Sequence, residues 1–390
     1  MTTKNNIPTG YKDSAVGIIP QEWEVKRLGT IAKCFSGGTP KSESEEMYGG
    51  TIPFIRSGEI HSNKTALFLT DDGLRKSSAK MVDVGDLIFA LYGANSGDCA
   101  ISQINGAINQ AILCIRSSSL INPFLQPYLE LQKDKFIAKY LQGGQGNLSG
   151  EIVSSYTIPV PPMEEQRKIA EILGVWDEAI EKQSRLIEKL ELRKRALMQR
   201  LLTGRTRLPG FTYPWQKVKL GEITQIKKGV QVNKDTLQEY GKYPTINGGI
   251  EPSGYSDNYN TEANTITISE GGNSCGYVNF ITTKFWSGGH CYTIIPNNNV
   301  IKPYLFQQLK HSEPHIMDLR VGSGLPNIQL KTLTQLRCSL PSLPEQKAIA
   351  EVLTSADDEI ATHRKKLDAL RLQKRGLMQQ LLTGKTRVKI

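Results

Sequence analysis

No stretch of this 390-residue chain approaches the about 18 consecutive apolar residues that a membrane helix needs. Its opening, MTTKNNIPTGYK, has no apolar core of the kind a signal peptide carries, so the chain reads as cytoplasmic. The six cysteines, Cys34, Cys99, Cys114, Cys275, Cys291 and Cys338, form no C-x-x-C pair. Neither a zinc site nor a disulfide framework is indicated, and reduced, buried thiols are the expectation. No metal site is expected anywhere.

Catalytic signatures are missing as well. The G-K-T ending at 384–386 lacks the earlier glycine of a phosphate loop, because Gln379 stands there. GGQGNLSG (143–150) and GGNSCG (271–276) do not keep the G-x-G-x-x-G spacing. His311 and His315 are four apart, but no glutamate lies between them and Pro314 would break the helix a zinc-protease motif needs. Asn122-Pro123-Phe124 is one proline short of the tetrapeptide of amino-group DNA methyltransferases, and FSGGT (35–39) misses their F-x-G-x-G. The Glu345 to Lys347 fragment of a nuclease motif opens a helix and has no aspartate placed beside it. No catalytic residue is assigned to the chain.

What is present is charge, and a repeat. Lys and Arg number 48 against 38 Asp and Glu, a formal net charge of +10 that points to a polyanionic partner such as nucleic acid. Segments 165–208 and 345–388 match without a gap at an offset of 180, with 21 of 44 positions identical and a shared ending L-M-Q-x-L-L-T-G-x-T-R. These two segments carry +7 of the excess, while residues 1–164 are nearly neutral at −1. Bulk charge therefore does not mark the first globule as a reader of nucleic acid.

Within each repeat, apolar residues recur at alternating steps of four and three, the heptad seam of a coiled coil. The first seam is Ile169, Leu173, Trp176, Ile180, Gln183, Ile187, Leu190, Lys194, Leu197 and Leu201. The second is Ile349, Leu353, Ala356, Ile360, His363, Leu367, Leu370, Lys374, Leu377 and Leu381. Both turn polar in the same places, at Gln183/His363 and Lys194/Lys374; these four either fix register or lie where the seam meets solvent. Glu164, Glu165 and Glu345 fall at helix starts, where the helix dipole favours anions, and Gly204 and Gly384 fall just past the ends. A helix of about 39 residues is a rod of about 58 Å, long enough to hold two bodies apart.

The segments before and between the helices open alike, with W-x-x-x-x-L-G at Trp23 and at Trp215. Strand-like runs at 85–93, 111–116, 264–270 and 289–296 alternate with Gly, Asn and Ser clusters, and helical stretches follow at 123–141 and 302–319. Each globule thus reads as α+β, with binding residues expected on its loops. The boundaries are 1–163 for the first globule, 164–204 for the first helix, 205–343 for the second globule with a short linker, 344–384 for the second helix and 385–390 for a basic tail.

In this order, I-P-V-P-P-M-E-E-Q leading into the first helix, R-A-L-M-Q-R-L-L-T-G closing it, SGGTP (36–40), YGGTIPFIRSGEI (48–60), GDLIFALYGANSG (85–97), TISEGG (267–272) and FWSGGHCY (285–292) resemble the specificity subunit of type I restriction-modification enzymes. The resemblance spans essentially the whole chain. It implies two pseudo-symmetric target recognition domains separated by two long helices that pair as an antiparallel coiled coil. Each domain would read one half of a bipartite, asymmetric double-stranded DNA site, and the helices would set the unread gap. Two modification (methyltransferase) subunits would bring S-adenosylmethionine and methylate adenine, and restriction subunits would bring the ATP- and Mg-dependent motor and nuclease. This chain would hold no cofactor. By this reading it binds DNA weakly alone.

For DNA contacts, loop residues with amide or cationic side chains suit base edges and phosphates. The candidates are Lys41, Arg56, Tyr92, Asn95, Gln145 and Asn147 in the first globule, and Lys227, Lys228, Asn247, Asn273, Ser323 and Asn327 in the second. Each of them also suits an ordinary solvated turn. The helix faces away from the seam, with Leu186, Leu192, Met198 and Leu372, are the candidate modification-subunit interface. The competing readings are a coiled-coil scaffold presenting two protein-binding modules, or a solitary methyltransferase or nuclease.

Overall fold

The computed structural model describes residues 7–41, 43–93, 95–141, 148–322, 324 and 326–390. The heptad spacing becomes two helices of 39 residues each, Met163–Leu201 and Leu343–Leu381. All twenty seam positions are buried or half-buried. Past each helix the chain turns at a glycine in the left-handed region, Gly204 at φ 73° and Gly384 at φ 71°. The hydrogen bonds that close the two ends match: Thr206 N–H donates to the Arg200 carbonyl and Thr386 N–H to the Gln380 carbonyl, both at 3.1 Å.

The chain forms two units, and neither is a simple half. One joins residues 1–183 to 366–390; the other is the continuous stretch 184–365. In the first unit, one four-stranded sheet has the order Leu67–Leu69, Tyr48–Ile55, Gly106–Ile108, Lys80–Val82. A second has the order Ala32–Ser36, Ile112–Ser117, Leu87–Ala90, Cys99–Ile101. A core of Trp23, Leu28, Phe89, Leu113, Phe124 and Leu125 continues into the long helices through Ile169, Leu173, Met378 and Leu381.

The second unit repeats this plan. Its four-stranded sheet runs Thr224–Lys228, Cys291–Pro296, Thr265–Ser269, Val278–Ile281, and a three-stranded sheet runs Tyr255–Ser256, Tyr243–Ile246, Trp286–Ser287. Among the described residues each unit has one parallel strand pair: Ile108 beside Ile55 in the first, Ser287 beside Ile246 in the second. The fold class is α+β in both. The stretch 302–319 is two helices rather than one, Lys302–His311 and Glu313–Asp318. Pro314 lacks the N–H that a continuing helix needs and starts the second helix instead.

Inside each unit the long helices run antiparallel. In the second unit Lys194 pairs with Asp357 at 2.5 Å and Glu191 with Arg364 at 2.5 Å, numbers falling on one helix as they rise on the other. In the first unit Asp177 pairs with Lys374, also at 2.5 Å. The two polar seam lysines have side chains only 15% exposed, so they sit within the seam and not at its solvent margin. Reversing either charge of the Asp177–Lys374 pair should cost about 2 kcal/mol, between surface and buried pairs. The double exchange Asp177→Lys/Lys374→Asp should restore most of it, read from unfolding midpoints.

The first turn of each helix does more than complement a dipole. Glu165 and Glu345 are buried, as are Gln166 and Gln346. Glu165 accepts from Trp23 Nε1 at 2.8 Å and from Arg387 Nε at 2.7 Å. Glu345 accepts from Trp215 Nε1 at 3.1 Å and from Arg207 Nε at 2.6 Å. Gln166 Nε2 donates to the Pro161 and Ser119 carbonyls, and Gln346 Nε2 to those of Pro341 and Asn299. The E-Q pair at each helix start is therefore a twofold anchor. Its glutamate holds the W and the T-R of the repeated motifs, and its glutamine holds the loop leading in.

Among the described residues, no helix is long and apolar enough to cross a membrane and no group of His, Cys, Asp or Glu could hold a metal ion. Cys34 is half-buried and the other five thiols are buried. Burial raises their pKa values, to about 12 for Cys114 and Cys338 and about 11 for Cys291.

Candidate nucleic-acid interface

In the first globule the parallel strand Tyr48–Ile55 delivers Arg56 to the loops at its end. Its guanidinium forks onto Glu59, Nε to Oε2 at 3.1 Å and Nη2 to Oε1 at 3.2 Å. Burial would raise the Glu59 carboxyl, but hydrogen bonds from Arg56 and the Ala66 N–H bring it below the ordinary value. Asn95 Nδ2 donates to the Ser57 carbonyl at 3.2 Å, which brings Asn95 and Arg56 to one loop cluster. Tyr92 is half-buried against the core. Lys41 is exposed on the neighbouring loop, where Thr39 donates to Gln110. Gln145 and Asn147 lie outside the described residues.

The second globule gathers more of its candidates. Lys228 ends its strand beside Tyr292 and reaches Glu270 at 2.5 Å. Asn247 follows the parallel strand Tyr243–Ile246, the place Arg56 holds in the first globule, and its Oδ1 accepts from His290 N–H at 3.2 Å. Asn327 exchanges both backbone hydrogen bonds with Val321, and its Cβ lies close to Gly271. Asn273 is exposed on the adjacent Gly271–Gly276 turn, and Lys227 is exposed one residue before Lys228. Ser323 lies outside the described residues. A cleft of about 480 Å³ lined by Lys227, Lys228, Asn260, Ser287 and Lys302 lies alongside.

Three further residues of this cluster, Glu270, His290 and Tyr292, lie inside the TISEGG and FWSGGHCY strings, but residue type and loop context do not single them out as candidates. The Glu270 carboxylate accepts from Lys228, from the Tyr292 hydroxyl at 3.0 Å and pairs with His290 Nδ1 at 3.3 Å. Burial opposes the charge, but these partners outweigh it and leave the carboxyl below its ordinary value. Sheet pairing brings together positions twenty and more residues apart, which periodicity does not show.

On the helices, Leu192 is 62% and Leu372 73% exposed, at equivalent places in the repeat, and Leu186 is 38% exposed. Met198 does not share their face. It is buried with Tyr304, Ile349 and Leu353, because the short helix Lys302–His311 covers that flank of the coiled coil.

The sequence model of the type I restriction modification DNA specificity domain matches residues 20–192 and again 213–372. The chain belongs to this family. Two curated specificity subunits of type I restriction enzymes from Methanocaldococcus jannaschii are similar over nearly their whole lengths. MjaVIII is 25% identical over 95% of this chain and 94% of its own, and the putative MjaX subunit 28% identical over 97% of each. The crystal structure of the type I S subunit from M. genitalium superposes with a TM-score of 0.65 at 20% identity, covering 98% of this chain and 99% of that one. The specificity subunit thus carries two DNA specificity domains, and its role is DNA recognition. Subunits of this kind are generally non-catalytic and work in complexes with other restriction-modification subunits and DNA.

Proposed function

We propose that each globule of this specificity subunit reads one part of a two-part double-stranded DNA site, and that the paired helices set the gap and dock two modification subunits. One observation carries the reading: the same backbone frame is built twice and carries different side chains at the same point, Arg56 in one and Asn247 in the other. Two frames with different polar groups suit an asymmetric site. The exposed Leu192 and Leu372 give the helices equivalent apolar points for two copies of one partner. S-adenosylmethionine belongs to the modification subunits, and ATP and Mg to restriction subunits. This chain supplies the address and they supply the adenine methylation and cleavage.

The test is to express the subunit with its modification partner and sequence the host methylome. Exchanging residues 1–163 for the corresponding globule of another family member should change one part of the methylated site and leave the other and the gap intact. A change in both parts, in neither, or binding that does not weaken as salt rises would sink the reading.

A further inference from the structure

Glu270 sits in a frame that the first globule shares. Its N–H donates to the His290 carbonyl at 2.9 Å, and its own carbonyl accepts from Ile328 N–H at 2.8 Å. In the first globule Leu91 N–H donates to the Ala111 carbonyl at 2.8 Å, and the Leu91 carbonyl accepts from Leu148 N–H at 3.0 Å. The backbone bonds correspond and the side chains do not: apolar Leu91 is buried where Glu270 carries a charge.

That charge is spent on holding its neighbours. The Tyr292 hydroxyl donates to Oε1, His290 Nδ1 lies 3.3 Å from Oε2, and Lys228 Nζ lies 2.5 Å from Oε1. A carboxylate so engaged has little capacity left to accept from a base. The group it presents outward is the Lys228 ammonium, 51% exposed, with further N–H bonds to give. A phosphate oxygen approaching there meets the full charge repulsion of Glu270, whereas a neutral acceptor meets much less of it. Guanine offers two neutral acceptors, N7 and O6, on its major-groove edge.

We propose that Lys228 reads a guanine in the part of the site taken by the second globule, and that Glu270 is the positioning residue that fixes its ammonium. The proposal rests on the two-part reading above. In the complex with its modification subunits, the wild type should require a G·C pair at one position of one part. Lys228→Gln should reduce that preference about 5- to 150-fold, the range for loss of a two-acceptor contact. Glu270→Gln should reduce it at the same position, by about 5- to 10-fold, because the ammonium remains but is no longer pinned. The other part of the site, read in the same molecules, should be unchanged. Uniform weakening on all sequences with the preference intact makes Lys228 a phosphate contact and overturns the proposal, as does a second part with no G·C requirement. If Glu270→Gln impairs the fold and both parts are lost, Lys228→Gln, at an exposed position, decides alone. If the wild type selects no two-part site at all, the parent reading fails instead.

Discussion

Arg387→Ala is expected to destabilise the first unit by about 3 kcal/mol. Its partner Glu165 is fully buried, and losing the guanidinium leaves the carboxylate with Trp23 Nε1 as its remaining hydrogen-bond donor in this anchor. Breaking a buried pair from one side costs about 3–5 kcal/mol, and the low end applies because Arg387 is 34% exposed and water can partly replace it. For a unit of this size that is a fall of about 6–12 °C in Tm. The double variant Arg387→Met/Glu165→Gln should lose less than Arg387→Met alone, since the amide still accepts from Trp23 and no charge is stranded. Thermal and urea unfolding of the subunit provide the measurement. A single variant within about 0.5 kcal/mol of wild type would show that the pair contributes nothing.

Gly37→Ala and Gly229→Ala form the second pair of large effects. A Cβ on Gly37 would stand 1.8 Å from the Ile108 carbonyl oxygen, and one on Gly229 would stand 2.2 Å from that of Gly288 and 2.5 Å from that of Ser287. Both glycines follow the edge strand of a four-stranded sheet and abut the end of the parallel strand pair, at matching places in the two globules. Backbone oxygen cannot swing aside as a side chain can, so the sheets must part. About 3 kcal/mol is the expected cost, the upper end for overpacking. Because the displaced Ile108 and Ser287 strands pair with the strands that lead into the loops of Arg56 and Asn247, Gly37→Ala should blur one part of the methylated site and Gly229→Ala the other. Methylome sequencing of the two variants side by side is the check; the same part blurred in both would contradict the equivalence of the two frames.

These effects arise at residues that local sequence pattern describes poorly. The long helices, their seams and their terminal glycines were legible because the repeat and the three-four spacing are local properties of the chain. The same reading placed Glu165 and Glu345 near a helix dipole, which is where they are, but gave no sign that each is buried against an arginine and a tryptophan from distant segments. Met198 shows the limit from another side. A heptad pattern registers contact between helices, and it is blind to the short helix Lys302–His311 that buries this residue from outside the pair. In the loops of the second globule, residue type and loop context single out Lys228 and Asn247. That Glu270 and His290 hold those two in place comes into view only when the sheets set residues more than forty apart side by side.

The interleaving of the two units also sets an order of events during synthesis. Every residue of the second unit, 184–365, leaves the ribosome before Arg387 does, while the first unit waits for that arginine to cap Glu165. Domains generally fold as units with the earlier-made one first. Here the earlier-made globule is the later to be completed, because its closing segment, 366–390, is made after every residue of the second unit.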